Sequence, residues 1–178
     1  KTCSQDVKTI EANIKHIVKQ LSTPNPFYEI VVSVDTKESD FLREYHDEGT
    51  LAELIEIIKK LKDNQIIDRY IIFDDSKTKQ LNKQWFNIDS EKSHTKSKAP
   101  LAPQIFAFNE CKGDYILQVD SDVLIGRKDY HHSYLTEMLS EFDKNEYPDI
   151  RKNVTSNFPE LGLYKTILDI NDIDNLKD

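Results

Sequence analysis

Three short apolar runs, each closed by an acidic residue, constrain this chain more than any other feature. Phe27 to Val34 is rich in β-branched and aromatic residues and stops at Asp35; Tyr70 to Phe73 stops at Asp74-Asp75-Ser76. Tyr115 to Val119 follows the turn signal Gly113-Asp114 and enters Asp120-Ser121-Asp122 directly. Continuous apolar runs of this length are the pattern of strands buried on both faces, as in parallel sheets. Helical stripes lie between them. Apolar residues at Val7, Ile10, Ile14, Ile17 and Leu21 predict a first helix, ended by Thr23-Pro24-Asn25-Pro26. A second starts at Thr50, where Glu53 completes a capping box, and carries Leu54, Ile58 and Leu61. A third runs from Ala99, with Pro100 in its first turn, to Cys111, and a fourth carries Tyr134, Met138 and Phe142 and stops near Asn145. The alternation predicts right-handed βαβ crossovers and an α/β fold: a Rossmann-like three-layer α/β/α sandwich with a mainly parallel sheet.

Such crossovers bring strand C-termini to one edge, where open α/β sheets bind ligands. Asp35, Asp74, Asp75, Asp120 and Asp122 are then expected to gather there. Residues i and i+2 of an extended segment point the same way, so Asp120 and Asp122 suit one hard cation. The tripeptide by itself decides nothing: with 19 Asp in 178 residues, chance supplies roughly two Asp-x-Asp motifs, and Asp172-Ile173-Asp174 is a second. Its polar surroundings read as a solvated acidic tail, whereas the first follows a buried strand. For Asp74 and Asp75, capping the following loop and accepting from a base N–H are both open readings, as are capping and ligand contact for Asp35. The segment from Lys77 to Lys98 reads as a long basic loop in which His94, Lys96 and Lys98 are either solvated or set against a diphosphate. His131-His132 reads as a helix start, and Asn153-Val154-Thr155 as a sequon without a secretory context.

At 178 residues, a single domain is expected, burying about 70% of its unfolded surface. A net charge of −8 argues against a general nucleic-acid or anionic-membrane surface, which gains affinity through Lys and Arg. Cys3 and Cys111 form no ligand or disulfide pattern, and no long apolar run or signal-peptide core stands out, so a cytoplasmic protein with reduced thiols and no integral membrane segment is expected. Beginning at Lys1 rather than Met, the chain reads as a fragment. Leu161 to Ile170 reads as a short helix or strand.

Together, the acid-ended strands, the helix carrying Ala102, Ala107 and Asn109, and Gly113-Asp114-Tyr115-Ile116 leading to Asp120-Ser121-Asp122 resemble the nucleotide-binding half of a GT-A glycosyltransferase of the family-2 type. The resemblance covers about residues 27–125 and leaves 126–178 as a partial or truncated acceptor side. It implies transfer of a sugar from a nucleotide diphosphate sugar, UDP-type, to an acceptor hydroxyl on a saccharide, lipid or protein, with Mn²⁺ or Mg²⁺. By position, Asp122 would ligate the metal, Asp120 would help it and touch ribose or sugar, and Asp75 would bind the base. Asp35 and Thr36 would border the base, Asp74 would lie beside it, and His94 would face the diphosphate. The sequence departs from the family at Asp35-Thr36-Lys37, where Pro-Thr-Tyr is usual, and at Asp74-Asp75-Ser76-Lys77, where Asp-Asp-Gly-Ser is usual. No general base stands out after Asp122. A nucleotidyltransferase of the same fold would need a Gly-rich loop after its first strand, and none follows Val34; a non-catalytic nucleotide-sugar-binding module is the other alternative.

Overall fold

The computed structural model describes residues 1–37, 49–96, 98–143 and 162–164. Within them the chain is a mixed α/β protein with a small parallel sheet. The Asn153 sequon and the second Asp-x-Asp lie outside the described residues.

A 3₁₀ turn at Ser4–Asp6 precedes α1 (Ile10–Leu21), which buries Ile10, Ile17 and Leu21 along the expected stripe. Strand β1 (Val31–Val34) follows and is shorter than the apolar run that predicts it. Helix α2 (Leu51–Asp63) begins with the expected capping box, Thr50 Oγ1 accepting from Glu53 N at 3.2 Å while Glu53 Oε2 accepts from Thr50 N at 2.9 Å. Leu54, Ile58 and Leu61 project from it at helical spacing and are fully buried, each contributing about 1.5–3 kcal/mol. They join Ile10, Val32, Val34 and Ile67 in one core cluster.

Strand β2 (Arg69–Ile72) pairs parallel with β1, Val31 opposite Arg69 and Val34 opposite Ile72, so the α2 crossover behaves as the alternation predicts. The strand starts are clamped by Glu29, which accepts from Arg69 Nε at 3.0 Å and from the Lys112 amide at 2.6 Å. The Arg69 hydrogen bond holds the Glu29 carboxyl below its ordinary range, opposed by partial burial and helped by the Lys112 amide.

The segment expected as a long basic loop is partly helical. A 3₁₀ turn at Asp75–Lys77 leads into α3 (Thr78–Phe86), closed by Asn87 in the left-handed region at φ 57°. The large apolar residues of α3 are Leu81, Trp85 and Phe86, set among Lys, Gln and Asn residues, so composition hid the helix. Helix α4 (Leu101–Glu110) starts just after Pro100 and tolerates Pro103 in its first turn, where no intrahelical N–H is needed. Leu81, Leu101, Ala102, Ile105 and Phe106 form a second cluster with Phe73, whose ring meets Phe106 edge-on at 5.7 Å.

The described ladder of strand β3 (Ile116–Gln118) is antiparallel, to β4 (Gly162–Tyr164), with Leu117 opposite Leu163, where a mainly parallel sheet is expected. β4 lies inside the stretch read as short helix or strand. Helix α5 (Tyr134–Asp143) follows a turn containing His131 and His132 and starts after them, with Ser133 Oγ accepting from Thr136 N at 3.2 Å. Met138 packs with Ile17, Leu21 and Ile125 in a third cluster. No helix among the described residues is long and apolar enough to cross a membrane, and Cys3 and Cys111 form no disulfide.

Candidate functional site

The C-terminal ends of β1 and β2 and the residues after α3 meet in one polar network. Asp35 follows β1 directly and is buried, with 4% of its surface exposed. Its Oδ2 lies 2.9 Å from His94 Nε2, and its Oδ1 accepts from the Lys37 amide at 3.0 Å. The other ring nitrogen, His94 Nδ1, is 3.0 Å from Ser93 Oγ, and Ser93 Oγ accepts from Lys37 Nζ at 2.7 Å. Lys37 Nζ also pairs with Asp75 Oδ2 at 3.1 Å, which ties the end of β2 into the same group. A buried carboxylate is stable only when such donors replace water. Asp35 is therefore held by His94 and Lys37, and Lys37 and Asp75 are the half-exposed members of the network.

What presents His94 is Asn82, fully buried on α3. Its side-chain amide donates to Ser90 O at 2.9 Å and Lys92 O at 3.1 Å, pinning the irregular segment that follows the helix. Ser93 O in turn accepts from the Ala102 amide at 2.9 Å.

Asp74 stands apart from this network. Its side chain accepts from Ser76 N at 3.0 Å and caps the 3₁₀ turn, and the Ser76 hydrogen bonds hold its carboxyl below the ordinary range. Of its two open readings the structure supports capping. Thr36 lies between Asp35 and Lys37 on the same edge, half-buried.

Asp120-Ser121-Asp122 forms a turn directly beyond β3, with Ser121 buried and both acids exposed. The reason is Asp6. This buried carboxylate uses one oxygen, Oδ2, to accept from Thr2 Oγ1 at 2.7 Å, Cys3 N at 3.0 Å and Ser121 Oγ at 3.0 Å. With its middle residue drawn inward, the turn leaves Asp120 and Asp122 outward. Lys1 Nζ stands 4.0 Å from Asp120 Oδ1, a loose and solvent-screened pair. At the far end of the turn, His16 Nε2 on α1 lies 2.8 Å from Ile125 O and 3.3 Å from Ile125 N, one contact or the other being a hydrogen bond according to the tautomer.

The two groups share an edge. Thr2 bridges to Val34 in parallel fashion, donating to Ser33 O and accepting from Asp35 N, both at 2.9 Å. A continuous path therefore runs from His94 through Asp35, Thr2 and Asp6 to Ser121. Asp35 and Asp75 come to one edge as the strand-end reading expects, His94 joins them through a contact with Asp35 that the sequence did not predict, and Asp120 and Asp122 sit across Thr2 from them. The expectation of one cluster of five acids is not met: among the described residues no three His, Cys, Asp or Glu side chains converge on a point that would hold a metal. The donors that the Asp120-Ser121-Asp122 turn offers are two exposed carboxylates. Two hard oxygen ligands fit Mg²⁺ or Mn²⁺ where phosphate oxygens and water complete the shell, and they do not make a closed cage.

Sequence reasoning missed Lys37, Ser93, Thr2 and Asp6. Lys37 lies two residues after Asp35, a spacing that places it at the same strand end. Nothing local relates Asp6 to Ser121, which are 115 positions apart.

No protein-family model, no curated protein and no solved structure matches this chain.

Proposed function

We propose that this chain carries the donor-binding part of a GT-A-type glycosyltransferase, moving a sugar from a nucleoside diphosphate sugar of UDP type to an acceptor hydroxyl. One observation carries the reading: Asp120 and Asp122 face outward from a turn anchored by Asp6, on the same edge as the Asp35–His94–Lys37–Asp75 network. An acidic edge of this kind repels a bare diphosphate and accepts one together with a divalent cation.

In this reading Asp122 and Asp120 would hold Mn²⁺ or Mg²⁺, whose charge, when bound, stabilises the departing nucleoside diphosphate. The chain's own residues bind and orient. Asp75, half-exposed at the end of β2, is placed to accept from a base N–H, and Lys37 beside it offers a positive charge for phosphate or ribose oxygens. Asp35 and His94 act on the ligand through position: each is held by the other, and together they fix Lys37 and Ser93. Packing on alternate sides of β1, with Val32 and Val34 in the α1–α2 cluster and Ser33 beside α4, supports the three-layer arrangement of that family.

Isothermal calorimetry of UDP with and without Mn²⁺ tests this. The native chain is expected to bind UDP only with the metal, and Asp122→Ala to abolish that dependence. Unchanged UDP affinity in Asp122→Ala sinks the assignment. Release of sugar from a panel of nucleotide sugars in the presence of Mn²⁺ separates an enzyme from a module that only binds the donor.

A further inference from the structure

Between β1 and β3 the sheet has a slot one strand wide. Its width is set at the mouth by Thr2 and Lys1: Thr2 bonds to the β1 side through Ser33 O and Asp35 N, both at 2.9 Å, and Lys1 N reaches Val119 O on the β3 side at 3.1 Å. Two residues in extended register thus span both neighbours, as one strand does between strands spaced about 4.8 Å apart on either side. Below Lys1 the slot continues between Val31 and Leu117, opening as a cavity of about 130 Å³ on one face and another of about 80 Å³ on the other. Alternate residues of a parallel strand turn their N–H and C=O to the same side, so β1 uses Val32 and Val34 toward β2 and turns Val31 and Ser33 toward the slot.

The two faces differ in chemistry. On the α1 face the walls are mostly apolar, with Ile14, Ile17, Val18, Leu21 and Phe27, and Glu29 also lines the cavity. On the α4 face they are mixed, with Ala107, Phe108 and Cys111 beside Gln118, whose buried Oε1 has no hydrogen-bond partner.

We propose that this slot takes one extended polypeptide strand, parallel to β1 and joined to the Lys1 nitrogen, which closes β2, β1, β3 and β4 into a single sheet. Thr2 lies opposite Val34, so the residue joined to Lys1 falls opposite Val32 and faces α1, and the next faces α4. The strand is therefore apolar at alternate positions starting next to Lys1, with a small hydroxyl residue between them to donate to Gln118 Oε1.

Register makes the test specific, since a one-residue slip exchanges the two faces. Two chains are prepared, one with Thr-Ile-Thr-Ile joined ahead of Lys1 and one with Ile-Thr-Ile-Thr, identical in composition and opposite in phase. The in-phase chain is expected to melt at least about 5 °C above the 178-residue chain and well above its out-of-phase counterpart. Its Val31 and Ser33 amides are expected to exchange with deuterium at least about tenfold more slowly. Equal melting of the two extended chains, no gain over the parent, or failure of the in-phase chain to fold cooperatively overturns the proposal. The Mn²⁺-dependent binding of UDP is a separate readout, so the slot and the proposed function stand or fall independently.

Discussion

Replacing Asp6 by Ala tests the physical basis of the candidate site most directly. Asp6 Oδ2 accepts three hydrogen bonds at 2.7, 3.0 and 3.0 Å in a buried position. A hydrogen bond to a charged group contributes about 1.5–3 kcal/mol net, so three give at least about 4.5 kcal/mol. Relief of the carboxylate's own desolvation offsets part of that, and the two hydroxyls can rotate toward other acceptors, which leaves a loss of about 3 kcal/mol. At 2–4 °C per kcal/mol for a chain of this size, the melting temperature should fall by about 6–12 °C. Asp6→Asn can keep a neutral acceptor at the same place and should lose about half as much. Urea unfolding followed by circular dichroism measures each variant, and Ser121→Ala completes a double-mutant cycle with an expected coupling of about 1 kcal/mol. A loss below about 1 kcal/mol for Asp6→Ala, or strict additivity with Ser121→Ala, refutes the claim that Asp6 fixes the Asp120-Ser121-Asp122 turn.

Other outcomes follow from single contacts. Asn82→Ala should cost about 2 kcal/mol through its two lost bonds to Ser90 O and Lys92 O, and hydrogen exchange should show faster opening around Ser93 and His94 than around Leu54. Gly49→Ala should destabilise by about 1–3 kcal/mol, because a Cβ there would lie 2.6 Å from Val7 Cγ2 and also press on Ser4 O; unchanged urea stability would contradict that packing. Glu29 gives a pH signature. Its folded-state pKa is lowered from 4.5, so its contribution is present above that value and is lost as pH falls through the lower folded-state value. Thermal melts should therefore show Glu29→Gln less stable than the native chain at neutral pH, with the difference shrinking as pH falls below 4.5, and a difference that stays constant in acid counts against the Arg69 pair as its cause.

The sequence by itself determined the helices α1 and α2, the parallel pairing of β1 with β2, and the placing of acids at strand ends. These are local or near-local properties: Ile10, Ile17 and Leu21 mark a stripe, Thr50 and Glu53 cap within one turn, and a helix between two buried strands is the connection that parallel neighbours need. Helix α3 escaped because burial of Leu81 and Asn82, rather than a strong apolar period, holds it in place. Tertiary structure alone decided which acid does what. Asp74 and Asp75 are neighbours with the same composition, yet one caps a turn while the other meets Lys37, and the difference lies in which side chain the turn aims across the edge. Ser121 is the clearest case: only the fold brings Asp6 to it, because a hydrogen bond between residues 115 positions apart leaves no trace in spacing or composition. That contact turns an Asp-x-Asp that chance could supply into two carboxylates presented outward beside Asp35 and His94.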